Sequence, residues 1–280
     1  MNKTITEEQI SRYEMYLRTE DRCVGTRDKY LRDIRNFADF LGEKPLNRET
    51  AIAWRDDLLG NHYAPVTINS MVAALNGFLR FIDRDDCRLH FLKIQRRLFR
   101  EKTKELTRVE YDRLIQAAYS TGKERLGLLM ETICASGIRV SEVKYITVDA
   151  AKNAKATISL KGKIRIILLP KKLCRKLLQY AKKQKIVTGE IFLTGNGKSL
   201  SRGQIWAEMK KICQKAKVEH TKVFPHNLRH LFATVFYKAC KDIVRLADVL
   251  GHSSIDTTRI YLITTAAEHE RQLEKLCLVV

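Results

Sequence analysis

The sequence predicts a mainly α-helical fold with a small antiparallel β-sheet, in which a helical domain precedes a mixed α+β domain. Apolar residues recur at helical spacing through most of the first hundred residues. One such run consists of Tyr30, Ile34, Phe37 and Leu41. Two β-branched runs follow at 156–160 and 164–169, and the turn signal Lys161-Gly162-Lys163 between them predicts a hairpin. A chain of 280 residues is long enough for two domains.

The first domain is predicted to span residues 1–92 and to contain four helices. One helix covers the run above, and another opens after Pro65, a residue favoured in the first turn of a helix. The apolar positions of this other helix are Ile68, Met71, Leu75, Phe78 and Ile82. Two shorter helices are predicted at 7–18 and 48–58. The basic faces of these helices suit a DNA backbone, and they equally suit the solvated surface of a small bundle.

The second domain is predicted to span residues 106–265. Thr107 and Glu110 form a capping box at its first helix, and an apolar helix then ends near Gly137, directly before Arg139. That apolar helix covers 126–133. Further elements are helices at 171–185, 203–217, 227–240, 242–250 and 255–262, a short helix that begins at Ser141 and Glu142, and a strand at 190–193. The hairpin therefore lies in a mainly helical domain.

Two segments flank this domain. The stretch 93–105 has almost no apolar periodicity and contains six lysines and arginines, which predicts a basic interdomain linker. The stretch 266–280 has a helical pattern and ends in an apolar cluster of Leu276, Leu278, Val279 and Val280. Because an exposed apolar end is unfavourable unless it docks, we expect this tail to dock on a neighbouring protomer or on its own domain.

The charge of the chain predicts a nucleic-acid partner. Lysine and arginine total 52 against 32 aspartates and glutamates, a formal net charge of +20. An excess of this size is typical of proteins that bind a polyanion. Binding to a membrane surface is less favoured, because the charge is spread along the chain and is not collected in one amphipathic helix.

The cellular context is predicted from what the sequence lacks. No stretch approaches the ~18 uninterrupted apolar residues of a membrane span, and the polar N-terminus has no secretory h-region. Seven cysteines are present, no two of them within four residues of each other, so no zinc-binding spacing exists. We therefore expect a cytoplasmic protein without a membrane partner, with reduced and mostly buried thiols.

Five residues could together carry phosphoryl chemistry. His226 and Arg229 lie three apart at the start of a predicted helix, and His252 follows the helix-ending glycine of LGHSSIDTTRIYL, the segment that also contains Tyr261. Guanidiniums donate bidentately to phosphate oxygens, so Arg139 and Arg229 could hold a phosphodiester. A lone tyrosine is far more often a core aromatic than a nucleophile. Nearby cations or a base would allow its phenol, with an ordinary pKa near ~10, to react.

A sugar oxygen that leaves from such a phosphate needs a proton. Lys161, at the tip of the predicted hairpin, is a donor with the necessary reach, and Lys163 is a close competitor. Taken alone, either lysine is more often a solvated turn residue. The choice between them stays open at this point.

Four segments in order carry a family resemblance: GIRVSE around Arg139, the KGKIR hairpin, PHNLRHLFAT and LGHSSIDTTRIYL. Together, over residues 106–262, they resemble the catalytic domain of tyrosine recombinases of the lambda-integrase type. The N-terminal region is similar, on weaker grounds, to the helical core-binding domain of that family. The resemblance implies the tyrosine recombinase fold and a site-specific recombinase, or integrase, that acts on double-stranded DNA.

The resemblance also implies site residues and their roles. The residues are Arg139, Lys161, His226, Arg229, His252 and Tyr261. The two arginines would hold the scissile phosphate, and the tyrosine would attack it to give a 3′-phosphotyrosyl link and a free 5′-hydroxyl. The lysine would protonate the leaving oxygen, and the two histidines would help with proton transfer and phosphate contact. No metal, ATP or other cofactor is implied.

Two supporting positions depart from the family pattern. Asn227 lies where the family often has aspartate, and Leu231 lies where a hydroxyl residue is common. Within the short hairpin we favour Lys161 as the acid because it precedes the turn glycine. These departures concern packing, so the implied chemistry stands.

The expected partners are double-stranded DNA and three further copies of the chain, in a homotetramer held together through the C-terminal tail. An accessory DNA-bending or directionality protein could also take part. Two alternatives remain: a type IB topoisomerase, which uses similar chemistry as a monomer, and a catalytically silent DNA-binding regulator. The DNA site, and whether the protein integrates a mobile element or resolves chromosome dimers, are not specified by the sequence.

Overall fold

The computed structural model describes residues 4–94, 105–160, 163–261 and 274–275. The chain divides into two compact units, Met1–Arg96 and Arg97–Val280. Most of the predicted linker and of the predicted tail lies outside the described residues. Within the described residues, helices dominate and the strands form one two-stranded antiparallel sheet, so the predicted fold class is confirmed.

The first unit is a helical bundle. Its helices are α1 (Glu7–Thr19), α2 (Val24–Leu41), α3 (Arg48–Gly60) and α4 (Pro65–Phe81), followed by a 3₁₀ turn at Asp85–Cys87. Thr6 and Asn47 cap α1 and α3 with reciprocal side-chain bonds, and Pro65 opens α4 as predicted. Buried apolar faces of α2, α3 and α4 form the main core of this unit, with Phe37 against Trp54 at its centre. The basic residues between these faces remain at the surface of the bundle.

The second unit surrounds the hairpin with helices. These are α5 (Arg108–Ser120), α6 (Glu124–Ser136), α7 (Val148–Lys152), α8 (Lys171–Lys183), α9 (Arg202–Lys210), α10 (Cys213–Ala216), α11 (Pro225–Cys240), α12 (Ile243–Leu250) and α13 (Ile255–Arg259). A capping box between Thr107 and Glu110 starts α5 as predicted. A 3₁₀ helix over Val140–Tyr145 stands where a short helix was expected, and α11 packs against α6.

The hairpin consists of β1 (Lys155–Leu160) and β2 (Lys163–Leu168), which pair in register from Lys155 opposite Leu168 to Leu160 opposite Lys163. One face carries the buried Ile158 and Ile167. The other face of β2 exposes three apolar side chains, namely Ile164, Ile166 and Leu168. The Tyr145 hydroxyl donates to the Ser159 carbonyl and fixes the end of β1 to the 3₁₀ helix.

Several element bounds differ from the sequence prediction. In place of one helix over 203–217 there are two, and the break at Lys211 and Ile212 turns the chain so that Ile212 and Cys213 both face the core. The predicted strand at 190–193 makes only isolated bridges, Glu190 with Thr147 and Leu193 with Ser199. Periodicity cannot detect such differences, because it reports burial and not the pairing partner.

Among the described residues, no helix combines the length and the apolar character needed to cross a bilayer. The six described cysteines are free thiols, of which Cys23 and Cys240 are exposed. The remaining described cysteines are fully or partly buried, in keeping with reduced core thiols.

Candidate active site

Arg139 is placed by the abrupt end of α6. Gly137 ends the helix in the left-handed conformation, at φ +66°, where a Cβ would meet the Phe232 ring at 2.5 Å. Arg139 then caps the following 3₁₀ helix. Buried Glu142 accepts from the Arg139 backbone N–H at 2.7 Å and from its Nη1 at 3.1 Å. The guanidinium is thus fixed at one edge and remains partly exposed at the other.

Arg229 lies in the second turn of α11 and is almost completely buried, with 2% of its surface exposed. Its Nη1 donates to the Gly137 carbonyl, and its Nη2 donates to the Leu250 carbonyl at 2.8 Å. Burial, followed by repulsion from Arg139, lowers the pKa of Arg229 to about 10, while the charge and hydrogen bond of Tyr261 act in the opposite direction. The side chain therefore stays cationic at neutral pH and is held rigidly by the ends of two helices.

His252 is held in one neutral form. It follows Gly251, which ends α12 at φ +62°. Its Nε2 lies 2.9 Å from Arg229 Nη2, and its Nδ1 lies 2.9 Å from the Thr258 hydroxyl. Because a guanidinium can only donate, Nε2 accepts and the proton resides on Nδ1. Burial, together with the charges of Arg229 and Arg139, lowers the pKa of His252 to about 4, which agrees with a neutral ring.

Tyr261 follows α13 and is packed inside the site, with 3% of its surface exposed. Its ring centroid lies 4.8 Å from that of His230 in an edge contact and 6.1 Å from that of His252 in a stacked arrangement. Leu246 and Leu250 of α12 belong to the same cluster. Tyr261 is therefore a buried aromatic residue that also adjoins a guanidinium.

His226 lies at the exposed rim, in the first turn of α11, which begins at Pro225. Partial desolvation, together with the charges of Arg229 and Arg139, lowers its pKa below the ordinary value of 6.5. His226 is therefore neutral near pH 7 and can accept a proton.

One pocket of about 480 Å³ joins these residues. Five of the six predicted site residues line it: Arg139, His226, Arg229, His252 and Tyr261. Lys161 falls outside the described residues. The site has two further guanidiniums, since Arg202 lines the pocket and Arg165 adjoins its Arg139 edge through Glu142. Among the described residues, no group of three or more histidine, cysteine, aspartate or glutamate side chains is arranged to hold a metal ion.

Sequence reasoning did not single out Glu142 or Arg165 as site residues. The three-residue spacing of Arg139 and Glu142 was a usable signal, because it is the spacing of a capping box. Arg165 gave a second signal, because it occupies a position of β2 that alternation assigns to the buried face beside Ile167. A charged residue at a buried position requires a partner, and Glu142 is that partner at 2.6 Å.

Comparisons with known proteins show the family to which the chain belongs. A family model described as "Phage integrase family" matches residues 104–268. The chain is 31% identical over 97% of its length to tyrosine recombinase XerA of Thermococcus kodakarensis, of which 96% is covered. It is 30% identical over 89% of its length to tyrosine recombinase XerD of Xanthomonas campestris, of which 84% is covered.

Two solved structures show the same fold. A lambda integrase tetramer bound to a Holliday junction aligns over 93% of this chain and 78% of that one, with a TM-score of 0.72 and 19% identity. A XerH post-cleavage complex with palindromic difH substrate aligns over 96% of this chain and 84% of that one, with a TM-score of 0.72 and 17% identity.

Fold and comparisons together define an enzyme of DNA strand transfer, and its candidate pocket contains a tyrosine. The chain belongs to the phage integrase family and, within it, to the tyrosine site-specific recombinases. The comparisons do not favour a type IB topoisomerase or a silent DNA-binding regulator.

Proposed function

We propose that this recombinase cuts and rejoins duplex DNA through a 3′-phosphotyrosyl intermediate on Tyr261, without a metal ion or ATP. The observation that carries the proposal is the convergence of Arg139, Arg229, His252 and Tyr261 on one pocket. Fixed cationic donors beside a phenol provide both groups that the reaction needs. They stabilise charge on the non-bridging oxygens, and they place a nucleophile next to phosphorus.

The two arginines share the binding of the scissile phosphate unequally. Arg229 donates to two main-chain carbonyls and to His252, so it supplies a fixed positive charge from the floor of the pocket. Arg139 is more exposed and is the guanidinium that an entering phosphate meets first. Because both are held before DNA arrives, little reorganisation is needed as charge develops in the transition state.

In the covalent step, the Tyr261 oxygen forms a bond to phosphorus as the bond from phosphorus to the 5′-oxygen breaks. The departing oxygen keeps the electron pair and takes a proton from the Lys161 ammonium, which becomes a neutral amine. The energy of the phosphodiester is retained in the phosphotyrosyl link. Attack by a 5′-hydroxyl of another strand therefore reverses the step and rejoins the DNA.

The proton of Tyr261 needs an acceptor, and the two histidines differ in availability. The lone pair of His252 Nε2 is occupied by Arg229, so His252 orients that guanidinium in the DNA-free state. His226 is exposed, and its lowered pKa keeps it neutral. We assign proton acceptance to His226, and to His252 the placement of Arg229 and contact with the phosphate.

We further propose that residues 1–92 are a core-binding domain, 93–105 a linker, 106–265 the catalytic domain and 266–280 a tail exchanged between protomers. The lambda integrase relative is described as a tetramer bound to a Holliday junction, which supports a tetramer here. We also propose that an accessory DNA-bending or directionality protein takes part in the reaction and that the recombinase is located in the cytoplasm. Deletion of 272–280 tests the tail: smaller complexes on DNA support exchange, and an unchanged tetramer contradicts it.

The chromosomal role is proposed to be integration of a mobile element. The family description names phage integrases, which supports this role. Sequencing the DNA around the gene tests it, since an attachment repeat or mobile-element neighbours are expected. Their absence would favour a resolvase of chromosome dimers.

A strand-exchange assay tests the function. Two duplexes that carry the site bound by this protein are incubated with it, and recombinant products are separated by size. Recombinants are expected with wild-type protein. Tyr261→Phe should bind the site equally and give neither recombinants nor covalent adduct. Relaxation of supercoiled DNA without paired sites would instead favour a topoisomerase, and binding without any adduct by the wild type would favour a silent regulator.

A further inference from the structure

Arg165 is a buried cation that the proposed chemistry does not use directly. It lies on β2, and its side chain is 17% exposed, whereas its neighbours Ile164 and Ile166 point to solvent. Arg165 Nε is buried and has no hydrogen-bond partner among the described residues. An orphaned N–H and a desolvated charge both cost free energy, and an apolar side chain on this inner face would avoid both costs. An arginine at this position therefore indicates a partner that needs its charge.

That partner is Glu142, whose side chain is only 2% exposed. Its Oε2 accepts from Arg165 Nη2 at 2.6 Å and from the Arg139 backbone N–H at 2.7 Å. Its Oε1 accepts from Arg139 Nη1 at 3.1 Å. Two guanidiniums thus face one buried carboxylate, and the ion pair with Arg165 is the shorter of the two. The three side chains together carry one net positive charge.

The Arg165 guanidinium also contacts the end of α12. Its Nη1 lies 3.5 Å from the Val249 carbonyl, and a Cβ built at Gly251 would overlap the same atom. The Gly251 carbonyl in turn lies 3.4 Å from Arg139 Nη2. Arg165 thus adjoins both of the turns that place Arg139 and His252 in the pocket, although it does not line the pocket itself.

The charge balance around Glu142 decides how strongly Arg139 can bind a phosphate. A buried carboxylate attracts a cation strongly, because the low local dielectric screens little. With Arg139 as its only partner, Glu142 would neutralise that guanidinium and would repel an entering phosphate oxygen. With Arg165 as the closer partner, the partly exposed Arg139 keeps its charge for the pocket, whose described lining residues include no acid.

We propose that Arg165 is a positioning residue of the phosphate clamp: as the buried counterion of Glu142, it leaves the charge of Arg139 available to the scissile phosphate. This inference rests on the proposed function. Loss of Arg165 would let Glu142 hold Arg139 to itself and would leave a negative charge beside the phosphate. Because the damage depends on that carboxylate, removing its charge as well should restore much of the cleavage.

A double-mutant cycle tests this dependence. Single-turnover cleavage of a suicide duplex is measured for wild type, Arg165→Met, Glu142→Gln and the double variant. Arg165→Met should cleave ~10²-fold slower than wild type, the size of one lost transition-state donor. In the Glu142→Gln background the same change should cost less than ~10-fold, because no carboxylate is left to neutralise Arg139. An equal loss in both backgrounds would overturn the proposal.

A methylphosphonate duplex gives a readout that a purely structural role would not change. A methyl group in place of one non-bridging oxygen of the scissile phosphate removes the negative charge that Arg139 stabilises. The ratio of methylphosphonate to phosphate cleavage should therefore be higher for Arg165→Met than for wild type. Arg175→Ala, a change of an exposed arginine on α8, should keep the wild-type ratio. Both rates are measured on one protein sample, so partial unfolding does not alter their ratio.

An unchanged ratio for Arg165→Met would overturn the proposal. If Arg165→Met yields no folded protein, Arg165→Gln is compared by the same ratio, where a raised value supports the counterion role and the wild-type value overturns it. Failure of the proposed function gives a different result, because wild type would then cleave neither duplex.

Discussion

The candidate pocket and the hairpin next to it are held in place in different ways. The buried wall of the pocket, formed by α11, the end of α12 and the Tyr261 segment, has functional side chains that contact backbone carbonyls, one another and an apolar cluster. No described residue of the hairpin lines the pocket; the hairpin has one face in solvent and is attached to the 3₁₀ helix through the Tyr145 hydroxyl and the Arg165 guanidinium. Tight packing suits the proposed phosphate clamp, whereas the proposed lysine acid belongs to an element that is attached by two polar anchors.

This difference has a consequence for substitutions. A change in the buried wall removes transition-state charge and folding free energy together, because the same contacts serve both. Under the proposed mechanism, a change of the lysine acid in the hairpin should alter proton delivery and leave most of the core intact. The variants below separate the two effects, beginning with the largest.

Arg229→Ala should have the largest combined effect, because it slows cleavage and destabilises the fold at the same time. Removing one fixed transition-state donor costs ~10²–10³ in rate. It also leaves the Gly137 and Leu250 carbonyls without their donor, which should lower the free energy of unfolding by ~1–3 kcal/mol. Single-turnover cleavage and chemical denaturation measure the two losses. Arg175→Ala is the matched control, because Arg175 is exposed on α8 and does not line the pocket, and it should leave both values near wild type.

Lys161→Ala should slow cleavage of an ordinary duplex by ~10²–10⁴, the range of general-acid contributions. Lys163→Ala is the paired variant, because it removes the same charge two residues away. Both variants are tested on suicide duplexes whose scissile phosphate carries either oxygen or sulfur at the 5′-bridging position. A thiolate leaves with little help from an acid, so sulfur should rescue the variant that lacks the acid. Rescue of Lys161→Ala by sulfur is expected, and rescue of Lys163→Ala alone would move the acid to Lys163.

Gly251→Ala tests the contact between the buried wall of the pocket and Arg165 of the hairpin. A Cβ at this position would overlap Arg165 and would also force alanine into the left-handed region, which costs ~1–2 kcal/mol. Gly197→Ala supplies the control, since Gly197 has φ +70° and open space around its Cβ direction. By thermal unfolding, Gly251→Ala should lose at least as much stability as Gly197→Ala, because the overlap with Arg165 adds to the backbone strain. Only Gly251→Ala should also lose cleavage. Equal cleavage by the two would show that the Arg165 contact is dispensable.

The smallest effect concerns the stability of the buried wall at acid pH. The pKa of His252 is lowered to about 4, so the unfolded state binds its proton more readily. His252 therefore contributes stability that is complete above pH ~6.5 and is lost progressively as the pH falls toward 4. His252→Gln should show a shallower decline in urea unfolding between these values. A slope identical to wild type would contradict the pKa assignment.

Much of this architecture follows from local signals. Gly137 and Gly251 end helices where predicted, and the strands before and after residues 161–162 pair as predicted, because helix ends and hairpins are set by a few neighbouring residues. The bounds of α9, α10 and the 190–193 segment were not predictable, since they depend on which distant surface each residue packs against. The same holds for the Arg165–Glu142 pair, which joins residues 23 apart.

The candidate site was predicted in part from the family resemblance, and the rest of it depends on contacts that only the folded chain makes. The resemblance named six residues, and the structure brings five of them to one pocket. The lone pair of His252 Nε2 is directed to Arg229 and not to the pocket, which no spacing rule predicts. Tyr261 fits both interpretations of a lone tyrosine. It is a core aromatic, and it is also a neighbour of the guanidinium proposed to activate it as a nucleophile.

The most direct test of the proposed chemistry is to identify the residue and the DNA end in the covalent adduct. The protein is trapped on a suicide duplex, digested with protease and nuclease, and analysed by tandem mass spectrometry. We expect a nucleotide attached through its 3′-phosphate to the Tyr261 oxygen, and a free 5′-hydroxyl on the released strand. Attachment to another residue such as Tyr237, or attachment through a 5′-phosphate, would contradict it.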